Sequence, residues 1–175
     1  MKATAKYGLL TEIKECYVKI GDKKIIFRIL PDISDSKSAT YADETIMGRS
    51  FPIKTYSHSD NRAINVEMHF IALEESDIED NLLNLRLIQS LAYPREGSGG
   101  TPYKPPPVCK LKCGELLGHE GVCVILKNYS VKFDPQMVWD EDTLLPYKFD
   151  VSTTWDVVYA SSRLPGQEKI AKSGS

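Results

Sequence analysis

The sequence predicts a mainly β, α+β domain. It expects an antiparallel sheet closing towards a barrel or sandwich, one flanking helix over about residues 76–92, and long loops. Three observations predict it. Apolar and polar residues alternate with period two in the longest candidate strands, as half-buried strands require. One segment alone shows helical spacing behind a start signal. The order of elements is hairpin, loop, strand, helix, loop, strands, and a sheet carrying one helix is the economical way to bury such a set.

The elements follow in order. Residues 15–20 and 24–30 read as strands flanking Gly21-Asp22, where glycine supplies the positive φ of a hairpin turn. Residues 31–49, rich in Ser and Asp, lack periodicity and read as a loop. Arg62 to Leu73 is the clearest strand: Ile64, Val66, Met68, Phe70 and Ala72 share one face, opposite Asn65, Glu67, His69 and Ile71. Ser76 and Glu79 are spaced as a capping box, with Asp77, Glu79 and Asp80 in a first turn where the helix dipole favours anions. Ile78, Leu82, Leu85 and Leu91 follow at helical spacing, joined by Leu83, Leu87 and Ile88, until Pro94 ends the helix. The Pro/Gly-rich stretch 94–107 predicts a long exposed loop, its three prolines favouring extended geometry. Residues 108–113 and 121–133 form a second candidate hairpin around Gly118–Gly121. The last strand, 147–159, places Phe149, Val151, Thr153, Trp155 and Val157 on one face. Residues 1–160 thus form one domain, and 161–175 a tail with few groups worth burying, expected to order only on assembly.

A chain of 175 residues suits a single core. The net charge of −2 leaves no overall basic footprint for nucleic acid. No apolar run approaches the roughly 18–20 residues that span a bilayer. The only early apolar stretch is Gly8-Leu9-Leu10, short of the about 7–15 residues of a signal peptide, so the chain is expected to be made and kept in the cytosol. In that compartment the four cysteines default to reduced, buried thiols.

Chemistry is sparse. Cys109, Cys113, His119 and Cys123 offer four potential zinc ligands, but not at the usual Cys-x-x-Cys spacing. Cys109 and Cys113 fall on one strand face with Leu111 between them, as small buried hydrophobes would. Structural cysteines, a redox-dependent bridge and a metal site are the three readings, the first preferred; no metal or cofactor is expected. Ser57, His58 and Asp60 read as a polar turn, since triad members converge from separate segments. His69 sits on the polar face of its strand. The acidic pairs Glu74-Glu75 and Glu79-Asp80, and the run Asp140-Glu141-Asp142, suit helix capping and a solvated surface better than acid–base work. Gly97 to Gly100 lacks the Lys-Ser/Thr and helix of a phosphate loop. Strands and long loops without a catalytic constellation point to a non-enzymatic binding or assembly module, able to pair at sheet edges.

The stretch from Cys16 through the Gly21-Asp22 turn and Ile25-Ile26-Phe27 to Pro31-Asp32 resembles the start of the contractile injection system tube/LysM-associated baseplate family. Three further stretches agree in order: Arg49 to Tyr56 followed by Asn61-Arg62 and the alternating strand to Phe70; the helix exit Leu91-Ala92-Tyr93-Pro94; and Pro105-Pro106-Pro107 leading through a strand and turn to Gly121 and the strand beyond. The resemblance covers about residues 15–160. It implies a tail-tube-like fold in a contractile phage tail: a homohexameric ring, with loops and tails meeting the rings above and below. The expected neighbours are the tail tube protein ring and the baseplate hub and wedge proteins, in a virion assembled from subunits made in the host cytoplasm. The chain stops at Ser175, leaving no room for the LysM domain of many relatives, which favours a tube initiator joining hub to tube. DNA would pass through the channel without specific binding and no membrane would be involved. Glu67, Asp150 and Asp156 are the candidate channel-lining residues, since acidic walls repel phosphates.

Other readings carry different expectations. A head–tail connector, a tail terminator or the tube subunit itself would share the fold with other neighbours. A small metal-dependent or hydrolytic enzyme would use the Cys/His cluster. A free-standing ligand-binding barrel would be a monomer with an apolar cavity.

Overall fold

The computed structural model describes residues 13, 15–96, 103–141 and 143–159. Gly21 takes a φ of 58° and turns β1 (Cys16–Ile20) back into β2 (Lys23–Ile26), as the Gly-Asp pair predicts. The next segment corrects the sequence reading. It forms β3 (Asp32–Ser36) and β4 (Ala39–Glu44), followed by β5 (Ile53–Ser59). β6 (Ala63–Ile71) and the helix α1 (Glu75–Ser90) come next. Two short strands, β7 (Arg95–Glu96) and β8 (Tyr103–Lys104), pair within the Pro/Gly-rich stretch. The chain then runs through β9 (Cys109–Cys113), β10 (Val122–Phe133) and β11 (Lys148–Val157). The tail assigned to 161–175 lies outside the described residues.

Seven strands form one sheet in the order β2-β1-β9-β10-β11-β6-β3, all neighbours antiparallel. Among the described residues its two edges, β2 and β3, pair neither with each other nor with a further strand, so the sheet is open rather than a closed barrel. It nevertheless curls. A cleft of about 290 Å³ is lined by Ile26 and Arg28 near one edge and by His69 and Ile71 on β6. Arg28 also reaches Asp77 at the start of α1, 2.5 Å away. The apolar faces of β1, β2, β6, β9, β10 and β11 therefore share one core with Leu85, Ile88 and Leu91. Val18, Leu111, Val124, Val151, Ile64 and Trp155 have no exposed surface. The predicted inward residues of β6 and β11 are all buried, because alternate side chains of a half-buried strand have only one core to face.

The helix is capped two residues earlier than the Ser76/Glu79 signal suggests. Glu74 is the N-cap, and the Asp77 carboxylate accepts the N–H groups of Leu73 and Glu74 at 3.1 and 3.3 Å. Asp77 wins because Arg28 holds it in place. Ile78, Leu85 and Ile88 face the core, while Leu83 faces solvent.

Candidate assembly surface

Among the described residues β4 and β5 pair only with each other and form a two-stranded arm. Its root is closed by Asp60 N–H donating to the Ser38 carbonyl at 3.0 Å, and by Ser38 Oγ donating to Asp60 at 2.5 Å. β3 runs along β6 towards Ala63, so the arm continues that hairpin past the end of the sheet. Every residue of β4, and all of β5 but Ile53, is exposed. Tyr41 and Tyr56 meet edge to face on it, their centroids 5.8 Å apart. The tip, residues 45–52, carries Ile46, Met47 and Phe51, the last 81% exposed. A lone two-stranded ribbon is marginal in water, and apolar groups clustered at an exposed tip mark a contact surface.

The sequence reading missed this arm because neither face is buried, so no alternation marks its strands. The usable signal was three large apolar residues inside an otherwise polar stretch. His58 stands within β5 rather than in a turn. Extended backbone brings Ser57 Oγ within 3.2 Å of His58 Nδ1, and Asp60 within 3.4 Å of its Nε2. The side chains are closer than sequence adjacency suggested. They lie exposed on the arm and Asp60 is engaged by Ser38, so the row is neither buried nor free to orient as acyl transfer requires.

The solvent face of the sheet is polar and divided by charge. Lys19 and Lys24 face each other across β1 and β2, and Lys110 and Lys112 continue the row on β9. At the other side Asp32, Glu67, Asp150 and Asp156 stand on β3, β6 and β11. The three candidate channel residues thus share one face, but only Glu67 lines its shallow groove, together with Asp32, Ser34, Asn65, Ser130 and Ser152. Their charges are partly compensated: His69 Nδ1 lies 2.6 Å from Asp150, and Lys127 lies 3.5 Å from Asp156. Glu15 and Lys112 pair near the opposite edge, which lowers the pKa of Glu15 and raises that of Lys112 through their hydrogen bond.

The Cys/His cluster does not converge into a four-ligand site: Cys113 and His119 line one cavity with Cys16, while Cys109 and Cys123 lie outside it. Cys113 forms a disulfide with Cys16, directly across β1 and β9. This corrects the expectation of reduced thiols at Cys16 and Cys113. Cys109 is buried, donates towards the Pro107 carbonyl, and has its pKa pushed up to about 11 by desolvation. Cys123 pairs with Lys110, on the opposite face of the sheet from Cys109 and Cys113, and is exposed. His119 follows Gly118 in the connecting turn. Among the described residues no group of three or more His, Cys, Asp or Glu side chains could hold a metal ion.

No protein-family model matches the chain, and no curated protein matches it in sequence.

Proposed function

We propose that this chain is a non-enzymatic structural subunit of a contractile phage tail, forming a homohexameric ring that joins the baseplate hub to the tail tube and initiates tube polymerisation. The exposed β4–β5 arm carries the reading. A ribbon bare on both faces, with an apolar tip, gains a stable environment only against another chain.

The sheet edges support the same reading. A closed ring needs two different, complementary surfaces on each subunit. Among the described residues β2 and β3 are free edges, and the face is basic towards one and acidic towards the other. Surface charge alone is a weak tie, but in copies held together by the arm, edges set side by side bring lysines beside carboxylates, which favours this register and disfavours its reverse. The curled sheet is compatible with a tail-tube-like subunit, and its polar face with a channel wall. Glu67, Asp150 and Asp156 would then line the passage with little affinity for DNA. The order of motifs from Cys16 to Gly121 supports the tail assignment.

Electron cryo-microscopy of intact tails or baseplates tests the proposal. Six copies in one ring between the hub and the first tube ring are expected. Many stacked rings would make the chain the tube subunit, a ring at the head end would make it a connector, and absence from the particle would sink the assignment altogether.

A further inference from the structure

We infer that the arm tip docks in an apolar cleft of a second copy of this chain, with Phe51 as the inserted group. The cleft lies where α1 meets the connection between β10 and β11. Ile78, Leu82, Leu85, Phe133, Trp139 and Leu144 line it, and its volume is about 150 Å³. An apolar cavity of roughly that volume accommodates one benzene ring. Phe51 presents one such ring, almost wholly exposed.

Charge agrees with shape. Arg49 is the only charged residue of the tip, 45–52. The elements around the cleft carry Glu75 and Glu79 on α1 and Glu141 on the connection against Arg86, all exposed, whereas Asp80 faces the other cleft beside Arg28.

The geometry requires a second copy. The arm leaves the sheet at Ser36 and Ala63, whereas the cleft lies beyond the opposite end, where Phe149 pairs with Phe70 and α1 follows β6. β6 is nine residues long, so the two ends are about 30 Å apart. No arm residue lines the cleft, and the arm's root stands at the opposite end of the sheet, so the tip does not occupy its own cleft. A knob at one end and a matching hole at the other define a head-to-tail contact, which repeats from copy to copy. The choice of a second copy as partner rests on the ring-subunit reading above.

The test uses the purified full-length chain and two exposed substitutions, Phe51→Ala in the tip and Leu144→Asp in the cleft, followed by sedimentation velocity. The unsubstituted chain should associate as concentration rises, and weaken with salt. Each variant alone should lose association while keeping its circular dichroism spectrum and melting temperature. Mixed together they should form a one-to-one heterodimer and nothing larger, because one supplies an intact cleft and the other an intact arm. A wild-type chain still monomeric at ~1 mM, where even a millimolar contact is populated, would overturn the inference. So would variants that associate normally, or a mixture that stays monomeric while the wild type associates. None of these outcomes touches the particle position of the ring, which imaging decides separately.

Discussion

Asp77 shows how one side chain couples distant parts of the chain. Its carboxylate accepts the Leu73 and Glu74 amides and meets Arg28, which follows β2. Burial raises its pKa, but Arg28 and the two amides outweigh burial and hold the carboxyl below its ordinary value. A lowered folded pKa contributes stability that is present above the unfolded value and lost as pH falls through the folded one. Asp77→Asn should therefore cost about 1–2 kcal/mol at neutral pH. Its deficit relative to the wild type should shrink at about pH 3, as urea denaturation at both pH values would show. Thr153 illustrates a second kind of residue. Its hydroxyl accepts from Trp155 Nε1 at 2.7 Å and donates to the Val66 carbonyl at 3.0 Å, so the buried indole N–H and hydroxyl are satisfied together. The sequence placed Thr153 on the buried face, but not its partners, because Val66 lies in another strand.

Among elements, the β1–β9 and β9–β10 pairings impose the sharpest constraints. Gly114 N–H donates to the Glu15 carbonyl, so the neighbouring Cys16–Cys113 pair occupies the narrow site of an antiparallel ladder, with Cα atoms 4.0 Å apart. The bond closes a separation of 97 residues. Reduction should lower the unfolding free energy by roughly 2–4 kcal/mol. In the native, unreduced protein, thiol titration should find one fast-reacting group, Cys123, with Cys109 silent until unfolding. Gly121 has a φ of 76°, and a Cβ there would lie 2.6 Å from the Leu111 carbonyl oxygen. Gly121→Ala should cost about 1–3 kcal/mol by thermal melting. Gly21→Ala, in open space, should cost less. The second hairpin was legible in the glycines and alternation, whereas the disulfide was not, since register between β1 and β9 is a long-range property.

At the scale of the whole molecule, stability and assembly separate. The core joins the sheet to α1, while the arm adds nothing buried beyond its own two strands. Replacing residues 38–60 with a short turn should shift unfolding free energy by no more than ~0.5 kcal/mol, as expected for surface changes, while abolishing self-association. Amide exchange should be fast along β4 and β5 in the isolated chain and slow once it is assembled.

The amino-acid sequence by itself determined the mainly β composition, the hairpin at Gly21, the inward faces of β6 and β11, and the presence and extent of α1. Each is local: a period, a turn residue or a helix signal within one segment specifies it. The helix cap was off by two residues because Arg28, distant in sequence, chose Asp77. Only the tertiary structure decided the sheet order, the meeting of Cys16 with Cys113, the separation of Cys109 from Cys123, and the arm at one end of the sheet opposite the apolar cleft. Those depend on strand pairing across the chain, and the arm escaped notice because strands exposed on both faces have no core to write a pattern into them.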